Sequence, residues 1–145
     1  MKKIFLIIGL AGTVSLAGAL PAAALDGVVV IVNNSVPVNS ISAAALKDIY
    51  TGRTMYWQDG QSVGLAVLAD KSGGKTDAAL EEVSGMDASH FKTFWQRMVF
   101  SGRGQEPERA DDAAALVALV ASNKGAIALV PADAKLNGVK TLEVR

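Results

Sequence analysis

The stretch 62-SVGLAVLADKSGGKTDAALEEVSG-85 decides the fold. Residues 62 to 70 read as a buried strand, and residues 76 to 85 read as a short helix closed by Gly85. A buried strand that feeds a helix through a glycine-rich connection is the repeating unit of an α/β sheet. The same alternation recurs on either side. Upstream, 27-GVVVIVNNS-35 is a β-branched run ended by two asparagines and reads as a central strand. In 40-SISAAALKDIYTG-52, Ser42 is placed to cap a helix that carries Leu46, Ile49 and Tyr50 on one face, with Gly52 at the left-handed C-terminal position.

Downstream, Asp87 is placed to cap a helix, with Met86 and Phe91 at the two staple positions and Phe91, Phe94, Trp95, Met98 and Val99 on one face. That aromatic stripe reads as core. Residues 111 to 125 (DDAAALVALVASNKG) begin with acids and turn Ala113, Leu116, Val117 and Val120 to one side, with Lys124 near the end and Gly125 beyond. "AIALVP" after it is a third strand, and 140-KTLEV-144 adds an edge strand. The expected fold is α/β, one sandwich with a mixed or parallel sheet flanked by helices. With 145 residues and no repeat, low-complexity tract or linker, the chain has room for one domain.

Lys2 and Lys3 precede an apolar run from Ile4 to Leu16, and Pro21 and Ala22-Ala23-Ala24 follow, which gives residues 1–24 the layout of a signal peptide cut near Leu25. The expected mature domain is 25–145. An uncleaved anchor is the competing reading, but Ile4 to Leu20 reaches only about 25 Å against about 30 Å of hydrocarbon. Gly9, Gly12, Gly18 and Pro21 weaken it further as a membrane helix. The expectation is a periplasmic or secreted protein with no stable membrane insertion after cleavage. There is no cysteine, so disulfides and thiolate metal sites are excluded and an apolar core must hold the domain. Without Lys2 and Lys3, twelve basic and fourteen acidic side chains remain, a net of −2 with no electrostatic footprint for nucleic acid.

Little in the chain suits catalysis. His90 is the one histidine, in the first turn of a helix, and reads as solvated. No G-x-S-x-G occurs, and Glu81-Glu82 and Asp111-Asp112 are sequential pairs whose members point apart on a helix. No enzyme, metal or cofactor is expected. The stretch 69-ADKSGGKT-76 fits a relaxed phosphate-loop pattern with Ala69 at the first glycine. An exported protein meets little nucleoside triphosphate, and no second apolar strand ends in an aspartate placed for magnesium, so nucleotide hydrolysis is disfavoured. The physics under the motif stands regardless. Glycines let backbone N–H groups approach an anion, and a helix N-terminus carries partial positive charge. Two readings are open at this point: an oxyanion docks on this loop, or Ser72 or Thr76 caps the helix in a solvated turn.

Four segments in order carry a family resemblance. "ALKDIYTGRTMYWQDGQSV" resembles the "helix, I-F-x-G, basic residue, W-x-D-G" segment of phosphate-type periplasmic substrate-binding proteins. "DKSGGK" falls at their serine-glycine anion loop, "FWQRMVFSGRGQEP" resembles their W…F-x-G-x-G-x-x-P segment, and "KGAIALV" resembles their G-A-I-G-Y-V strand. The resemblance spans Val28 to Pro131 and implies one lobe of a type II binding protein, related to the phosphate-binding components of ABC transporters. Within 48-DIYTGRTMYWQDG-60 it implies that Gly52 ends a helix, Arg53 and Trp57 pin the returning loop as architecture, and Asp59-Gly60 turns the chain into the next strand.

The ligand implied is a small oxyanion, phosphate-like and weakly held. Ser72 and Thr76 would donate hydroxyls, Gly73 and Gly74 backbone N–H groups, and Lys75 its charge. Asn34 and Ser35 would line the same rim, since ligands in such sheets bind outside the carboxyl ends of the strands. The chain departs from the family pattern in three ways. Gly74 replaces a threonine with no arginine before Ser72, Ala128 and Leu129 replace a glycine and a tyrosine, and one lobe stands where relatives have two. These departures keep an alternative in play, a ligand-free interaction module that docks on an envelope protein. A partner or a homodimer would supply the missing wall of the cleft.

Overall fold

The computed structural model describes residues 25–69 and 74–145. The expected leader, 1–24, and residues 70–73, which include Ser72 and Gly73, lie outside the described residues. In chain order the elements are β1 (Val28–Asn33), β2 (Ser40–Ile41), α1 (Ala43–Tyr50), β3 (Gly64–Leu68), α2 (Lys75–Ser84), α3 (Ala88–Phe100), β4 (Glu108–Ala110), α4 (Ala113–Ser122), β5 (Ala126–Pro131) and β6 (Val139–Val144).

The strands form one sheet in the order β2-β6-β1-β5-β3-β4. It is mixed. β3 runs parallel to β5 and β4, and β2 parallel to β6, whereas β1 is antiparallel to both its neighbours, with Val28 opposite Pro131 and Val30 opposite Leu142. Both faces are covered, which is why the strands read as unbroken apolar runs. Alternate residues divide between two cores: Val30, Val32, Ile127 and Leu129 pack under α1, α2 and α3, and Ile31, Ala126, Ala128 and Val130 pack under α4. Ala128 and Leu129, the departures in the last strand, are thus packing residues on opposite faces.

The helix ends follow the local chemistry. Ser42 caps α1 by accepting from the Ala45 N–H at 3.1 Å, Asp87 caps α3 by accepting from the His90 N–H at 2.8 Å, and Asp112 caps α4 by accepting from the Ala115 N–H at 2.7 Å. His90 is exposed and lies 3.2 Å from the Asp87 carboxylate. The α3 stripe is core through Phe91 and Trp95, and the Trp95 indole donates to the Tyr50 carbonyl at 3.1 Å, which fastens the end of α1. Val99 departs from its expected place. It is 39% exposed.

The 48–60 stretch is a hinge pinned by one side chain. Gly52 and Gly60 take φ of +73° and +88°, and the Trp57 indole donates to the Gly125 carbonyl at 2.8 Å. Arg53 does not share that task. Its side chain is exposed, and it is the Arg53 backbone N–H that holds, donating to the Asp48 carbonyl at 2.8 Å. Two strands correct the expected arrangement. β6 is interior rather than an edge, since β2 covers it, and β4 provides the opposite edge beside β3.

Candidate anion site

β3, α2, α4 and β5 meet at one end of the sheet. β3 and β5 are parallel, so Leu68 and Pro131 finish on the same side, where the chains leading into α2 and α4 also arrive. An open cleft of about 670 Å³ lies there, lined by Leu68, by Lys75 and Thr76 of α2, by Asp111 and Asp112 before α4, and by the segment after β5. This is the position outside the carboxyl ends of parallel strands where α/β sheets hold ligands.

Gly74 is the N-cap of α2, with φ +78° and ψ −132°, and among the described residues no side-chain oxygen caps the helix. A Cβ on Gly74 would meet nothing within 4 Å, so its constraint is the positive φ alone. Lys75 is exposed and lies across Gly27, where a Cβ would come within 3.0 Å of its Cδ and Nζ atoms. Gly27 is therefore the floor on which the lysine stem rests. Thr76 is the second residue of the helix and 9% exposed, so it does not cap it. Gly74, Lys75 and Thr76 thus sit together at a helix start, with the partial positive charge that such a start carries.

The charges around them are mixed. Lys75 faces Asp111, Asp112 and Asp133 across the described lining. Asp112 also occupies the N-terminus of α4 with its own carboxylate, and α2 carries Asp77 in its first turn. The sequence marked Asp111 and Asp112 as first-turn acids without placing them. The strand order is what brings them opposite Lys75.

Asn34 and Ser35 are elsewhere, which corrects the expected rim. The reversed direction of β1 carries its carboxyl end to the opposite edge, where β3 and β5 begin. There Asn34 donates to the Gly138 carbonyl at 3.1 Å, and the Ser35 hydroxyl accepts from the Gly125 N–H at 3.2 Å. Both act as loop fasteners.

Next to the cleft a small cavity of about 20 Å³ lies between α1, β3 and the first turn of α2. Tyr50 lines it, fully buried, and burial pushes its phenol well above the ordinary value by penalising the charged form. Among the described residues no group of three or more histidine, aspartate or glutamate side chains is placed to hold a metal, and no helix is long and apolar enough to cross a membrane.

Residues 21–143 match the protein-family profile described as a PBP superfamily domain. No curated protein sequence matches the chain. Among solved structures, one from Clostridium perfringens with bound phosphate, described as a phosphate ABC transporter substrate-binding protein, superposes with a TM-score of 0.63 at 21% identity, over 81% of this chain and 44% of that one. The ABC-type phosphate transport receptor of Vibrio cholerae gives 0.55 at 16% identity, over 81% and 46%. PstS of Borrelia burgdorferi gives 0.57 at 9% identity, over 82% and 47%. The chain spans less than half the length of each.

Proposed function

This chain belongs to the PBP superfamily domain family, and from that premise we propose that it is an exported, non-enzymatic binding protein that takes up a small oxyanion, phosphate-like, at the N-terminus of α2. The single observation that carries this is the start of α2, where Gly74, Lys75 and Thr76 open on a cleft at the carboxyl ends of parallel β3 and β5. Lys75 supplies charge, the Gly74 to Thr76 backbone supplies N–H groups and Thr76 supplies a hydroxyl. Ser72 and Gly73 belong to the same proposal, as does residue 25–145 as the mature domain.

Magnitudes set the strength. A helix N-terminus contributes about 0.3 to 2 kcal/mol and a charge-assisted hydrogen bond from Lys75 about 1.5 to 3. Association costs at least about 4 kcal/mol. One wall therefore holds phosphate no tighter than roughly millimolar, near −4 kcal/mol.

The test is a titration of inorganic phosphate against the protein, followed by amide NMR. Shifts confined to Gly74, Lys75, Thr76 and their neighbours, and abolished by Lys75→Ala, support the site. Silence at those amides up to tens of millimolar removes it.

A second reading has its own observation. Asp111, Asp112 and Asp133 outnumber Lys75 at the cleft, as they would where a lobe kept its shape as an envelope interaction module and lost its ligand. Capture of the same partner from envelope extract by wild type and Lys75→Ala, with no phosphate response, favours it.

A further inference from the structure

Tyr50 ends α1 with no exposed surface and its ring centroid 6.2 Å from that of Phe91, and among the described residues its hydroxyl has no hydrogen-bond partner. Buried hydroxyls are paired in the large majority of cases, with protein or with ordered water. Tyr50 lines the small cavity of about 20 Å³, whose other polar side chains are Thr76 and Asp77 of α2. A single water needs roughly 10 to 15 Å³ of such space together with two to four polar partners. There is room for one. Leu68 and Thr76 line both this cavity and the open cleft, so Thr76 forms part of the wall between them.

We propose that this cavity is a site for one buried water, which accepts a hydrogen bond from the Tyr50 hydroxyl and donates one to the Thr76 hydroxyl. A hydroxyl has one hydrogen to give, and engaging its oxygen from behind leaves that hydrogen free to point at the cleft. Linked hydrogen bonds of this kind polarise one another, so Thr76 becomes a better donor. Tyr50 is then a positioning residue. It touches nothing in the cleft and decides which way Thr76 donates. The positioning role rests on the oxyanion reading, whereas the water site stands without it.

Water–protein Overhauser measurements on the full chain test the site directly. The expected result is a long-lived water signal at the Tyr50 ring protons and the Thr76 methyl, lost in Tyr50→Phe. Absence of that signal in the wild type overturns the proposal, whatever the variant does. Titration with inorganic phosphate then tests the role. Tyr50→Phe is expected to weaken binding three- to tenfold in the wild-type background and to have no further effect on top of Thr76→Val, which removes the hydroxyl it positions. If the water is present and Tyr50→Phe binds phosphate as wild type does, the positioning role is wrong. If the water is present and wild type shows no phosphate response, it is the oxyanion reading that fails.

Discussion

A Cβ at Gly125 would lie 2.1 Å from the Ser62 carbonyl oxygen, and the residue holds φ at +76°. Both facts oppose a side chain, and the obstacle is backbone that cannot swing aside. A positive φ alone costs a non-glycine residue roughly 1 to 2 kcal/mol. Gly125→Ala is therefore expected to destabilise by more than about 2 kcal/mol, while Gly102→Ala, at φ +72° with open space around its Cβ, is expected to cost only the conformational share of about 1. Urea denaturation of the two variants checks the order, and equal losses would show that the Ser62 contact relaxes freely. Tyr50 makes a prediction in pH. Its folded-state pKa is raised by burial above the ordinary 10.0, so the unfolded chain ionises first. The stability it contributes is complete below about pH 10 and is lost above it, at about 1.4 kcal/mol per pH unit until the folded protein ionises in turn. The difference in stability between wild type and Tyr50→Phe, measured from pH 8 to 11.5, should be flat to about pH 10 and then fall. A flat line throughout would mean that the phenol reaches water in the folded state.

Asp112 serves two masters at the scale of the element. Its carboxylate caps α4 through the Ala115 N–H, and it also stands on the cleft that Lys75 faces. Asp112→Ala is expected to lower stability by about 0.5 to 2 kcal/mol through the lost cap. It should tighten phosphate at the same time, because a carboxylate leaves and a second helix start opens to the ligand. Thermal melts and a phosphate titration of the same variant read both directions, and weaker phosphate binding would place Asp112 among the groups that hold the ligand. Elements also differ in how much of themselves they write into the sequence. α3 announces itself through Asp87, Met86 and the Phe91–Trp95 spacing, since cap and core stripe are local signals. β2 and β4, two and three residues long, are too short to show an alternation and exist only through their neighbours. The direction of β1 is likewise unwritten, because a fully buried strand looks the same from either end. That missing sign is what placed Asn34 and Ser35 on the wrong rim. The acids that line the cleft beside Lys75 and Thr76 were not legible there either, because only the strand order brings them together.

For the molecule as a whole, the balance of charge decides how the cleft meets an anion. Binding sites for anions ordinarily weaken as salt rises, because screening removes a net attraction. Here the described lining sets one lysine against three aspartates, and the chain beyond Lys2 and Lys3 carries a net −2. The field at long range is therefore repulsive, and in the proposed site the attraction would come from short contacts with the α2 backbone, Thr76 and Lys75. Raising ionic strength from 0.01 to 0.1 M shortens the screening length from about 30 Å to about 10 Å, which trims the repulsion from the wider surface more than contacts made at hydrogen-bond distance. The apparent Kd for phosphate is thus expected to stay level or fall by up to about twofold over that range. Phosphate titrations in a salt whose anion competes weakly, at the two ionic strengths and at constant pH, measure it. A Kd that rises severalfold would mean that Lys75 dominates the field and that the three carboxylates are turned away or neutralised. The same outcome would favour a capture protein over an interaction module, since an acid-rimmed lobe with no net attraction for anions is better suited to meet a basic surface than a free phosphate.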